Sequence, residues 1–152
     1  MAIVYLGLGS NIGDRKANLN QAILNLESRG ITVNKVASFI ETDPIGGPPQ
    51  GRYLNSVIEC ETLLPPLELL FIIQNIEKIM GRDRTVLNGP RIIDIDMLLY
   101  EKLKIQSKDL ILPHPRMKER EFVIKPFMEI APRDLIQDLV SDFLSSEPPS
   151  KN

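Results

Sequence analysis

Residues 88–100 read NGPRIIDIDMLLY, and the reading of this run decides the fold. Ile92, Ile93, Ile95, Met97, Leu98 and Leu99 describe a strand that wants burial, yet Asp94 and Asp96 interrupt it two positions apart. Side chains alternate across a strand, so the two aspartates share one face with about 6.5 to 7 Å between their Cα atoms. Aspartate is a poor strand former, and two unit charges at that spacing repel by roughly 2 to 3 kcal/mol at an effective dielectric of about 20. Something has to offset that cost.

Upstream of this strand, PPLELLFIIQNIEKIMG places Leu69, Ile72, Ile73, Ile76 and Met80 on one helical face, with Pro66 near its start and Gly81 at its end. Residues 31–41 (ITVNKVASFIE) and 53–62 (YLNSVIECET) are β-rich and partly alternating, and read as two paired strands around the loop TDPIGGPPQGR. IVYLGLG at 3–9 is an opening strand. A helix follows it, capped by Asp14, with Leu19, Ala22, Ile23 and Leu26 at i, i+3, i+4, i+7 and Gly30 as its stop. The order to residue 100 is therefore β-α-β-β-α-β, an α+β ferredoxin-like arrangement: an antiparallel sheet with helices on one face and the other face free for a ligand. C-terminal additions follow, a short hairpin or extended pair over 101–113 and a final helix over 135–145. One domain over residues 1–146 is expected, with a disordered tail at 147–152.

The chain has 152 residues, 43% of them hydrophobic and 25% charged, which suits one globular domain. A net charge of -2 and a sequence pI near 5.5 exclude a general nucleic-acid or membrane-surface binder, which needs a global basic field. The opening MAIVYLGLGS lacks a basic leader, and no run approaches the roughly 20 apolar residues of a membrane span. A soluble, cytoplasmic monomer is expected. The single cysteine, Cys60, shares strand parity with Leu54 and Ile58 and reads as a small core residue, not a nucleophile.

Two glycine clusters invite nucleotide motifs and fail them. In GLGSNIGD, Gly7, Gly9 and Gly13 give GxGxxxG where a dinucleotide fingerprint needs GxGxxG, so a strand-to-helix turn is the better reading. In GGPPQGR, Pro48 and Pro49 remove amide donors that a phosphate loop requires, and a strand follows instead of a helix. Tyr53 and Asn55 share a strand face, a flat ring beside an amide. That pair suits a planar heterocycle, and suits equally an edge-strand tyrosine packed on its sheet.

Gln74 and Glu77 lie at i and i+3, off the apolar stripe, where a solvated face is the ordinary reading. Arg82 and Arg84 follow at once and Arg91 precedes the acidic pair, so three guanidinium groups surround a loop that ends at Asp94 and Asp96. Arginines bind phosphate bidentately, and paired carboxylates suit Mg²⁺ that arrives carrying phosphate oxygens. Divalent cations with a polyphosphate are favoured over a solvated strand face, which would use Thr, Ser or Lys. The lone His114, in LPHPRMKEREF, is by itself more often structural; with Arg116, Lys118 and Arg120 it can form a second cationic wall.

Together, GLGSNIGD, TDPIG leading to YLN, QNIEKIMGR, GPRIIDIDMLLY and LPHPRMKEREFVIKPFMEIAP resemble the 6-hydroxymethyl-7,8-dihydropterin pyrophosphokinase family of folate biosynthesis over nearly the whole chain. The resemblance implies transfer of the β,γ-pyrophosphoryl group of ATP to the pterin hydroxymethyl oxygen, with release of AMP. It implies that Asp94 and Asp96 ligate two Mg²⁺ ions and that Arg82 and Arg91 act on the transferring group. It places the pterin between Tyr53 and Phe122, with Asn55 and the backbone around Thr42 and Ile45 at the ring edge. Gln74, Glu77, Arg82, Arg84, Arg91, His114 and Arg120 would line the nucleotide, its adenine met by backbone around Met97 and Ile111. Leu87 and Asn88 stand where many members carry a basic residue and tryptophan, and Lys118 where a second histidine is common. Two other readings compete: a ferredoxin-like two-metal nucleotidyl transferase or cyclase, and a non-catalytic ligand-binding module.

Overall fold

The computed structural model describes residues 1–44, 46–81 and 89–146, with backbone alone at 145 and 146. At its centre runs β1 (Ala2–Ser10), which pairs antiparallel with β4 (Tyr53–Thr62) on one side and β5 (Asp94–Tyr100) on the other. β2 (Thr32–Val36) and β3 (Ile40–Thr42) both pair with the ten-residue β4, giving the order β2-β4-β1-β5 with β3 beside β4. Helix α1 (Arg15–Ser28) follows β1 and α2 (Pro66–Ile79) follows β4. The small hairpin of β6 (Ile105–Gln106) and β7 (Ile111–Leu112) comes next, then a 3-10 turn at Met117–Glu119, α3 (Glu121–Ile130) and α4 (Arg133–Ser146). Among the described residues the result is an α+β fold with an antiparallel sheet and four α-helices.

The helix ends form as their residues dictate. The Asp14 carboxylate accepts the Ala17 N–H at 3.1 Å, and Gly30 takes the left-handed φ of 81° that ends α1. Alternation along β1 then divides its neighbours. Val4, Leu6 and Leu8 join Ile58, Cys60, Ile95 and Met97 against Leu19, Ala22 and Leu26 of α1 and Leu69, Ile73 and Ile76 of α2. Tyr5 points the other way, into a second cluster with Val57, Leu98, Leu99, Met117, Val123, Phe127 and Leu139.

That second cluster corrects the expectation of a free sheet face. Part of the face is covered by α3 and α4, with the Phe127 ring edge-on to Tyr5 at 5.1 Å between centroids. Sequence patterning misses α3 because Pro126 lies inside it; the helix persists because Pro126, Phe127 and Val123 are buried against the sheet. The segment 31–41 is likewise two strands, not one. The break is held by the Ala37 N–H donating to the Val57 carbonyl at 2.9 Å and by the Ser56 hydroxyl donating to the Ala37 carbonyl at 2.8 Å. The hairpin and the last helix are found where patterning expects them, while the tail 147–152 lies outside the described residues.

Candidate active site

Where α3 and α4 end their cover, the same sheet face opens into a cavity. Its floor follows from register: Gly9 of β1 sits opposite Asn55 of β4 and Asp94 of β5, and Gly7 sits opposite Val57 and Asp96. Directly opposed residues share a face, so two glycines leave empty the space that Asn55 and the two aspartates border. A Cβ on Gly9 would lie 3.0 Å from Asn55 Oδ1 and 3.5 Å from the Tyr53 ring. Tyr53, Asn55, Thr42, Gln50, Phe122 and Arg120 complete the lining with Asp94 and Asp96. The Asn55 side-chain amide donates to the Thr42 hydroxyl at 2.6 Å, which fixes its orientation toward the space. Glu41 pairs with both Arg15 and Arg52, and Arg52 Nε reaches Asp43 at 3.2 Å, so an exposed ion-pair cluster tethers the loop before Tyr53. The Arg15 guanidinium holds the Glu41 carboxyl below its ordinary range.

A second cleft lies beyond the edge of β5, lined by Gln74, Glu77, Ile95, Asp96, Met97, Ile111 and His114. Asp96 borders both cavities. Because β5 is an edge strand, the Ile95 N–H points out of the sheet and needs an acceptor; Glu77 Oε2 supplies it at 2.9 Å. This corrects the reading of Glu77 as solvated, for it is 2% exposed, while Gln74 beside it is exposed. Its carboxylate anchors the one residue that separates the paired aspartates.

Cationic groups flank the junction. Arg91 Nη1 meets Asp94 Oδ2 at 3.1 Å, and the Nε atoms of Arg91 and Arg120 are buried with no hydrogen-bond partner. A buried guanidinium donor without an acceptor is a rare and costly arrangement that an incoming anion relieves. His114 Nδ1 accepts the Arg116 N–H at 3.2 Å, so in this arrangement its proton sits on Nε2. Burial, then the charges of Arg120 and Arg116, push its pKa below the usual 6.5, which leaves it a neutral donor at pH 7. Arg116 and Lys118 line neither cavity; Lys118 Nζ lies 5.6 Å from the Phe143 ring centroid of α4. The expected second cationic wall is thus reduced to Arg120, stacked 5.5 Å from the Phe122 ring.

Thus Thr42, Tyr53, Asn55, Phe122, Arg91, Asp94, Asp96 and Arg120 gather in one cavity, and Gln74, Glu77, Met97, Ile111 and His114 in the other. Ile45, Arg82 and Arg84 lie outside the described residues, as do Leu87 and Asn88. Sequence reading misses Gly7 and Gly9 as the cavity floor, although glycines at alternate strand positions opposite an apolar parity were the available signal. It also misses Asn11, which donates to Gln50 and Gly51 and accepts from Arg91.

Residues 5–132 match the family model for 7,8-dihydro-6-hydroxymethylpterin-pyrophosphokinase, the stretch that holds every side chain of both cavities. The chain belongs to this family. It is 49% identical to the 2-amino-4-hydroxy-6-hydroxymethyldihydropteridine pyrophosphokinase of Bacillus subtilis over 84% of this chain and 77% of that protein. Its identity to the Aquifex aeolicus protein of the same name is 44%, over 87% of this chain and 82% of that one. A bifunctional protein FolKE of Lactococcus lactis is 42% identical, and there this chain spans 39% of the relative's length. Among solved structures, an HPPK-DHPS in complex with substrates superposes with a TM-score of 0.65 over 95% of this chain and 44% of that one. At 16% identity that likeness speaks for the fold alone.

Proposed function

We infer that the two cavities are halves of one reaction site, and that Asp96, bordering both, marks where the transferred group crosses. As a pyrophosphokinase of this family, the protein transfers pyrophosphate from ATP to 6-hydroxymethyl-7,8-dihydropterin in folate biosynthesis. The pterin lies between Tyr53 and Phe122, with Asn55 and Thr42 at its edge; ATP occupies the cleft of Gln74, Glu77 and His114, its adenine against the backbone of Met97 and Ile111. The pterin hydroxyl oxygen bonds to the β phosphorus as the bridge to the α phosphate breaks. AMP leaves with the bonding pair, and the hydroxyl proton passes to solvent. The unpartnered Nε donors of Arg91 and Arg120 take phosphate oxygens on which charge builds, and neutral His114 donates from Nε2. Arg82 and Arg84 belong to the same reading.

Two half-buried aspartates suit Mg²⁺. No group of three or more acidic, histidine or cysteine side chains suited to a metal occurs among the described residues, so the pair fits a hard cation that keeps waters and shares phosphate oxygens. Asp94 and Asp96 would hold it, two ions in all. When bound, Mg²⁺ supplies Lewis-acid neutralisation of the phosphates. The residues themselves hold the geometry: Glu77 fixes the backbone between them and Arg91 orients Asp94.

The underlying plan is ferredoxin-like, a reading supported by the strand order β2-β4-β1-β5. We place the enzyme in the cytoplasm as a single-domain monomer over residues 1–146; the buried lone Cys60 accords with a reducing compartment, and no described helix is long and apolar enough to cross a membrane. The test is a nucleotide-product assay with ATP, Mg²⁺ and the pterin alcohol. AMP with no free pyrophosphate is expected; ADP, or pyrophosphate released from ATP, overturns the assignment. Asp96→Asn should lower kcat by on the order of a thousandfold, about 4 kcal/mol of transition-state stabilisation.

A further inference from the structure

Arg15 opens α1 and reaches across to the hairpin of β3 and β4. Its Nη1 donates to the Arg52 carbonyl at 3.0 Å, and its Nη2 pairs with the Glu41 carboxylate. Glu41 in turn accepts from Arg52 Nη1 at 3.0 Å, and Arg52 Nε donates to Asp43 at 3.2 Å. The four charges alternate in sign from Arg15 through Glu41 and Arg52 to Asp43, and they join both ends of the loop between the two strands.

Strand register shows on which side of the hairpin this grip lies. Thr42 stands opposite Tyr53, Glu41 opposite Leu54, and Ile40 opposite Asn55. Directly opposed residues share a face, so Thr42 and Tyr53 look into the pterin cavity while Glu41 and Leu54 point to the other side, where Leu54 packs against the core under α1 and α2. Arg15 therefore holds one wall of that cavity from behind, and lines neither cavity itself. Left to itself that wall is weakly held: β3 has three residues and, among the described residues, pairs with β4 alone. One guanidinium fixes the carbonyl just before Tyr53 and the side chain just before Thr42 together, a use that suits its rigid fork of donors.

We propose that Arg15 is a positioning residue for the pterin, an electrostatic strut that sets Tyr53 and Thr42 from the reverse side of their hairpin. The inference rests on the placement of the pterin in that cavity. The Arg15 side chain is 31% exposed and that of Glu41 43%, so the strut weakens as salt rises. The pterin alcohol carries no charge near neutral pH, so a salt effect on its affinity that depends on Arg15 belongs to the protein.

The experiment measures the dissociation constant of the pterin alcohol on the full chain, with α,β-methylene-ATP and Mg²⁺ held saturating. It is run at about 0.1 M and about 1 M NaCl, between which the screening length falls from about 10 to about 3 Å. The wild type should bind about fivefold more tightly than Arg15→Gln at the lower salt, and less than about twofold more tightly at the higher. Taking the ratio of the two proteins removes any general effect of salt on the ligands. Arg15→Lys keeps the charge for Glu41 but not the fork that also reaches the Arg52 carbonyl, and should fall between them. Glu41→Gln should weaken binding at least as much as Arg15→Gln, and combining the two should cost little more, because both remove the same link. In steady state, kcat and the KM for ATP should stay within about twofold of wild type, a split that general loosening of the fold would not leave. Equal pterin affinity in wild type and Arg15→Gln, a difference that salt does not reduce, or a KM for ATP that rises with that for the pterin overturns the proposal. Failure of the wild type to bind the pterin or to form AMP overturns the functional reading instead.

Discussion

Gly9 shows how a residue without a side chain shapes the site. With Asn55 Oδ1 only 3.0 Å from where a Cβ would stand, Gly9→Ala should displace the Asn55 amide and raise the pterin KM by about tenfold. Steady-state kinetics check this, with an unchanged melting temperature expected because the strand backbone keeps its pairing. Cys60 illustrates the opposite case, a reactive residue type silenced by its position: burial pushes its thiol up to about 12. Native protein at pH 8 should therefore fail to react with a thiol reagent such as DTNB and react fully in denaturant. His114 gives a pH signature of defined sign. Its folded pKa lies below 6.5, so the unfolded chain binds the proton more readily and stability falls as pH drops from about 6.5 through the lowered folded value. Urea unfolding at pH 7.5 and 5.5 should show that loss in the wild type and a smaller one in His114→Asn.

At the scale of elements, the edge of β5 and the cover by α3 are decisive. The bond from the Ile95 N–H to Glu77 ties α2 to the strand that carries both aspartates. Glu77→Leu leaves that N–H buried without an acceptor and should destabilise the fold by about 1 to 3 kcal/mol, whereas Glu77→Gln retains an acceptor and should lose much less; chemical denaturation separates the two. Periodicity alone placed Glu77 with the solvated residues, because the face of α2 it occupies is exposed only if nothing lies beside it. The same limit hid α3. A proline inside EFVIKPFMEI speaks against a helix, and only the sheet surface beneath, with Tyr5 and Leu98, makes the segment worth burying. Phe127→Ala, which empties the centre of that contact, should cost about 3 to 5 kcal/mol in unfolding free energy.

At the scale of the molecule, the sheet is a partition with an apolar helix layer on one side and, on the other, a face shared between a hydrophobic cover and the candidate site. β1, β4, β5, α1, α2 and the acidic pair were legible in the chain because each rests on local spacing: alternation in β1 and β4, the i, i+3, i+4, i+7 stripe of α2, and parity of Asp94 with Asp96. The residues that resemble the family were legible for the same reason, since they cluster in short motifs. What local spacing does not contain is which distant segments meet. The opposition of Gly9 to both Asn55 and Asp94, the burial of Glu77 and the grip of Asn11 on two loops are set by strand register and layer packing, which join positions 39 to 80 residues apart in the case of Asn11. Sequence by itself determined β1, β4, β5, α1, α2 and the chemical groups they carry, because short-range periodicity and residue type act along the chain. The tertiary structure alone decided which groups share a cavity, because that depends on contacts closed across the chain only when the sheet and its helices come together.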